Sequence, residues 1–132
     1  MRIVRFLNPD QQVCYGVEQP DHTANLLAQS PLSGELETTG QIVDIARRLA
    51  PVQPANIFCV GLNYREHASE TNADVPEHPT LFMKPTSAVT DPDSPIILPA
   101  CCQRGPEVDY ECELAVVIGR SGRGIPESDA LD

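Results

Sequence analysis

The sequence predicts a β-rich mixed α/β fold. Proline makes up 13 of the 132 residues, about twice the usual share, which confines helices to short lengths between extended segments and turns. The apolar runs are short and closed by Gly or Pro, which is strand punctuation. A single long segment, residues 40–50, keeps a helical period along its length. With no tryptophan, three tyrosines and three phenylalanines, the core must rest on Val, Ile, Leu and Ala.

Taken in order, Met1–Leu7 reads as a strand, Asn8–Gln11 ("NPDQ") as a turn and Gln12–Val17 as a second extended run, so a hairpin is expected. After a polar stretch, "TGQIVDIARRLAP" sets Ile42, Val43, Ile45, Ala46, Leu49 and Ala50 on one helical face. Thr39 is placed to cap that helix and Pro51 to end it. Hairpin and helix form a small N-terminal α+β module, residues 1–52, closed by the linker Pro51–Pro54 ("PVQP"). The second unit, residues 53–132, opens with a buried strand, Ile57–Val60, that enters a turn at Gly61. "REHASE" follows with one or two turns of helical spacing. Thr80–Pro85 and Pro95–Pro99 are proline-bounded strands, and "YECELAVVIG" (Tyr110–Gly119) is the strongest strand of the chain. At the end, Pro126 precedes Glu127, Ser128 and Asp129, a helix start. One turn cannot hold itself, so the expectation is a chain that stops inside an element, or else a frayed tail.

The formal net charge of −10 argues against nucleic acid or an anionic membrane surface as the main partner and leaves cation binding open. "MRIVRFLNPDQQ" is too briefly apolar for a secretory signal, and no run approaches the ~18 apolar residues of a membrane span. A soluble cytoplasmic protein is expected. Five cysteines without a CxxC pair read as reduced thiols; a reactive thiol at Cys101–Cys102 is the alternative, without an evident partner.

Three acids stand two apart at the head of the last strand: Asp109, Glu111 and Glu113. Alternation puts them on one face with Ala115 and Val117, opposite Tyr110, Cys112, Leu114, Val116 and Ile118. Carboxylates about 7 Å apart along a strand repel by about 2–3 kcal/mol at an effective dielectric of 20. Water, a basic partner or a hard divalent cation would offset this; the D-x-D-x-D-G loop of an EF-hand is absent. Upstream, His67 and Glu70 are three apart and share a face if helical. That is either a surface pair or a general base whose imidazole is oriented by a carboxylate. Tyr64, three residues before His67, flanks the same face or packs. Lys84 either snorkels to water or offers a positive charge to an anionic substrate. His22 and His78 read as loop residues.

The segments "IFCVGLNYREHASE", "HPTLFMKPTSAV" and "VDYECELAVVIGR", in this order and spacing, resemble the fumarylacetoacetate hydrolase family. They look most like its isomerases and hydrolases of 2-hydroxy-diene-dioates and acylpyruvates. The likeness is close from Asn56 to Ile125 and looser over Met1–Val52. It implies a catalytic domain built as a mixed β-roll, incomplete here, commonly in a homodimer, and a Mg²⁺ or Mn²⁺ site. Glu111 and Glu113 match the metal ligands, with Asp109 beside them and not counted. His67 and Glu70 match the dyad that activates water, and Tyr64 and Lys84 are the implied substrate-binding residues. The implied substrate is a small anionic dicarbonyl or 2-hydroxy-diene acid. Its enolate is stabilised by the metal, with C–C hydrolysis, decarboxylation or isomerisation as the outcome. Members carry a third metal carboxylate downstream of the E-x-E strand. No residue after Glu113 matches it, Asp129 and Asp132 lying in the wrong context. The alternative is therefore a truncated, inactive fragment that at most binds cations weakly or self-associates; a plain structural domain with an acidic face is a third reading.

Overall fold

The computed structural model describes every residue except 103, 104, 106, 107, 109 and 132. Two compact units are present, Met1–Ile96 and Ile97–Asp132.

The first unit contains an antiparallel five-stranded sheet of β1 (Ile3–Leu7), β2 (Val13–Glu18), β3 (Thr23–Leu27), β4 (Thr38–Asp44) and β5 (Arg47–Leu49), in the order β4-β3-β2-β1-β5. The β1–β2 hairpin is the expected one, with Ile3 opposite Val17 and Leu7 opposite Val13. Its turn is fixed by Asn8, whose side-chain oxygen accepts from Gln12 N at 2.8 Å while its backbone carbonyl accepts from Gln11 N at 2.9 Å. Gln11 takes a φ of 61° there.

β3 falls in the polar stretch where no element was expected. Its preceding turn is built by Asp21, whose carboxylate accepts from Thr23 N at 3.2 Å and Thr23 Oγ1 at 2.7 Å, an Asx-type turn. Gly16 lets β3 approach: a Cβ there would stand 2.8 Å from Ala24 Cβ and 2.9 Å from Asn25 O. Ala24 then joins Val4 and Phe6 as the buried core, against which Cys14, Leu26, Val43 and Ile45 pack.

The helix expected over 40–50 is not formed. Those residues make β4, paired to β3 with Ala24 opposite Val43, and β5, paired to β1 with Arg5 opposite Leu49. Three causes act together. Ile42, Val43 and Ile45 are β-branched and suit a pleated surface. Gly40 sits at a φ of +79°, outside the helical region. Pairing also satisfies the ladder groups on both flanks of the β1–β2–β3 sheet. Thr39 caps no helix; its hydroxyl donates to Leu26 O at 3.3 Å and accepts from Gln41 N at 3.2 Å. The N-terminal segment is thus all strand rather than α+β.

No regular element covers residues 51–56. The end of β5 is tied to a later loop by Asp91, which accepts from Ala50 N at 2.8 Å and lies 3.6 Å from Arg47 Nη2. The remaining elements of this unit are β6 (Ile57–Gly61), α1 (Arg65–Glu70), β7 (Thr80–Lys84) and a single 3-10 turn, Thr86–Ala88. β6 and β7 pair antiparallel, Ile57 opposite Lys84 and Gly61 opposite Thr80. Both strands and the short helix match expectation. The burial expected for β6 does not: Phe58 is 66% exposed, because a two-stranded sheet covers little of either face.

Pro95–Pro99 forms no strand, nor does Tyr110–Gly119 in the second unit. Expected to be buried on both sides, the latter segment instead exposes Leu114 at 83% and Ile118 at 77%. High β propensity alone does not make a strand, and the sheets among the described residues include neither segment. Asp109 lies outside the described residues. The expected helix start near Pro126 is one 3-10 turn, Glu127–Asp129, with Pro126 as its extended cap. The whole is β-rich with few helices. No described helix is long and apolar enough to cross a membrane.

Candidate functional site

The connection between β6 and β7 carries most of the candidate residues. The chain leaves β6 at Gly61, and Leu62 turns it at a φ of 53°. Tyr64 then opens α1 from an extended conformation, its carbonyl accepting from Ala68 N at 3.1 Å. Ala68 is the one buried residue of α1, so it roots the helix while the other positions face water. Thr71 ends the helix by donating from Oγ1 to His67 O at 2.9 Å.

His67 and Glu70 lie one turn apart on α1, and both are exposed. Among the described residues no hydrogen bond or ion pair joins the imidazole to the carboxylate. Both groups are open to water, which competes for a hydrogen bond between them. Tyr64 is 41% exposed. Lys84 is exposed at the end of β7.

Beside α1 a cleft of about 260 Å³ opens between the end of β6 and the 75–79 loop. Its polar lining is Asn63, Arg65, Glu77 and His78, and Val60 and Val75 contribute apolar wall. His67, Glu70, Tyr64 and Lys84 stand outside that lining. Sequence reasoning missed Arg65 and His78. They are 13 positions apart in the chain, and no spacing rule connects them; only the return of the chain into β7 brings them to one cleft. Arg65, which lies between Tyr64 and His67 in the motif, was the only available signal.

The two candidate metal ligands, Glu111 and Glu113, are exposed and belong to the second unit. Their expected common face relied on a strand, and Tyr110–Gly119 is not part of one. Among the described residues no three or more His, Cys, Asp or Glu side chains gather as a metal-ion site. All five cysteines are free.

Comparison with known proteins adds a separate line of observation. The family model for fumarylacetoacetate (FAA) hydrolase, C-terminal, matches residues 56–132, and the model for Rv2993c-like, N-terminal, matches residues 1–51. Protein Rv2993c of Mycobacterium tuberculosis is 36% identical, over 100% of this chain and 51% of its own length. Oxaloacetate tautomerase fahd2, mitochondrial, of Xenopus laevis is 45% identical over 64% of this chain and 26% of its own. A solved structure from Mycobacterium abscessus superposes with a TM-score of 0.59 at 34% identity, over 76% of this chain and 39% of that one. The chain thus spans between a quarter and about half of the length of these relatives.

Proposed function

The chain belongs to the fumarylacetoacetate hydrolase family, an enzyme family, and from that premise we propose that the protein acts on small 2-oxo or β-dicarbonyl acids, with keto–enol interconversion of oxaloacetate as its reaction. The observation that carries the reading is the family match over residues 56–132, a segment in which His67 and Glu70 lie one turn apart on an exposed helix. Oxaloacetate enters through relatives such as the Xenopus laevis tautomerase. Because the chain spans only part of each relative, the reaction is proposed for the whole protein.

The chemistry is a proton relocation. The C3–H bond of the keto acid breaks, the C2=C3 bond forms, and the C2 oxygen gains a proton; no water is consumed. An imidazole is suited to both transfers because its ordinary pKa lies close to neutral pH. We assign the C3 proton to His67 and the orientation of its ring to Glu70. A hydrogen bond between the two forms when substrate excludes water from the helix face. Tyr64 and Lys84 are proposed substrate-binding residues, and Arg65 and His78 in the neighbouring cleft offer further donors to a carboxylate.

The family resemblance implies Mg²⁺ or Mn²⁺, which when bound would stabilise an enolate as a Lewis acid. Glu111 and Glu113 have the hard oxygen donors such ions take. Two carboxylates fall short of an octahedral set, and the described residues do not complete one, so proton movement is assigned to side chains alone. The mixed β-roll, the division at 52/53, the homodimer and the cytoplasmic setting belong to the same proposal. A second reading is favoured by the exposed apolar side chains of β7 and Tyr110–Gly119: the 132 residues by themselves associate and bind cations weakly without turnover.

The test is decay of the enol absorbance of oxaloacetate. In the whole protein, His67→Ala should lower kcat by about 10²–10⁴-fold with unchanged circular dichroism; an unchanged rate would overturn the assignment. Turnover by the 132-residue chain should be absent or very low. Robust turnover abolished by His67→Ala would instead eliminate the second reading.

A further inference from the structure

A second polar cavity, of about 310 Å³, lies on the five-stranded sheet and is lined by Arg2, Glu18, Gln19, Pro20, His22 and Arg48. Nothing in the proposed reaction uses it. At its centre is Glu18, at the end of β2, with a side chain only 7% exposed. Arg48, from β5, donates to Glu18 Oε1 from Nε at 2.9 Å and also from Nη2. Arg2 Nε lies 3.0 Å from Glu18 Oε2. That is close enough to neutralise the oxygen but is not aligned as a hydrogen bond, and Oε2 accepts none among the described groups.

Two guanidinium groups therefore meet one carboxylate, which leaves one positive charge in excess in a chain that is otherwise strongly acidic. Donors are in excess as well. A guanidinium carries five N–H donors and accepts nothing. Arg48 Nη2 also lies 3.3 Å from His22 Nδ1. As the guanidinium can only donate, a neutral His22 ring accepts there through Nδ1 and carries its N–H on Nε2. Asp21, beside His22 in sequence, keeps its negative charge while accepting from Thr23 and is not part of the lining. The Arg2 side chain is 73% exposed, so it reaches the cavity from the solvent side.

We propose that this cavity is a binding site for a small oxyanion, held between the guanidinium groups of Arg2 and Arg48 with the His22 Nε2–H as a further donor. A carboxylate and a phosphate share the required chemistry, which is a compact negative group able to take two guanidinium donors. The lowered pKa of Glu18, caused first by its hydrogen bond from Arg48, is consistent with a positive local field.

The full chain can be titrated with inorganic phosphate and separately with malonate, at constant ionic strength and with chloride as the control, by amide chemical-shift perturbation. Saturable shifts centred on residues 2, 18–22 and 48 are expected with at least one of the two, and the arm that saturates identifies the anion class. Arg2→Gln, at an exposed position, should retain the fold and weaken binding at least about fivefold. Glu18→Gln removes the competing carboxylate and should tighten binding. If that variant does not fold, Arg2→Gln alone decides. Shifts no different from chloride, binding unchanged in Arg2→Gln, or binding not tightened in a folded Glu18→Gln would each overturn the proposal.

Discussion

Glu18 shows how one residue couples charge to stability. Its carboxyl is held below the usual glutamate range, first by the hydrogen bond from Arg48, with burial opposing and the charge of Arg2 assisting. A folded-state pKa below the unfolded value means that stability is gained above the ordinary glutamate pKa and is lost as pH falls through the depressed one. Urea unfolding followed from neutral to acid pH should therefore show a falling stability. Glu18→Gln should start lower at neutral pH and fall less steeply. Asp21 is depressed in the same direction by its Thr23 hydrogen bonds and keeps part of the slope in the variant. Parallel profiles would remove Glu18 as the cause. His67 and Glu70 make the opposite point. Their spacing could be read from the sequence, and the helix that puts them one turn apart is present. Whether the two groups engage depends on solvent exclusion, which no spacing encodes.

Among the elements, the hairpin of β1 and β2 was legible because Asn8-Pro9 interrupts two extended runs and Asn8 supplies its own turn bond. β3 was not. Its residues, Thr23–Leu27, carry no clean alternation, and the strand exists because Gly16 leaves room for Ala24 and because Asp21 closes the turn. Gly16→Ala should thus destabilise the sheet by about 1–3 kcal/mol, as overpacking does. Chemical denaturation would register this as a lower midpoint at constant slope, and an unchanged midpoint would count against the close approach. The stretch 40–50 misleads for a physical reason: apolar residues on a helical period also deliver Val43 and Ile45 to a sheet core, and long-range pairing overrides a local period.

The whole molecule leaves much apolar surface uncovered, including Phe58, Leu81 and Met83 on the small sheet and Leu114, Val116 and Ile118 in the second unit. Exposed apolar patches and open strand edges drive association. Sedimentation velocity on the 132-residue chain should show oligomers that grow with concentration; a strictly monomeric chain would contradict this. A titration with Mg²⁺ belongs to the same scale, since an octahedral site needs ligands from several segments. Calorimetry should detect only weak binding, reduced in the Glu111→Ala, Glu113→Ala double variant. Binding that is tight, or indifferent to both substitutions, would contradict the assignment of these carboxylates.

By itself the sequence determined the family, the β-rich class and the local elements with strong punctuation: β1, β2, β6, α1 and β7. These follow from residue identity and short spacing, which act within a few positions. Tertiary structure alone decided that residues 38–44 and 47–49 are strands, that β3 exists, that Arg65 and His78 share a cleft, and that Arg2, Glu18, His22 and Arg48 converge. Each of these depends on a partner far away in the chain. Tyr110–Gly119 states the same rule from the other side: its residues favour a strand by local propensity, and the sheets among the described residues do not include it.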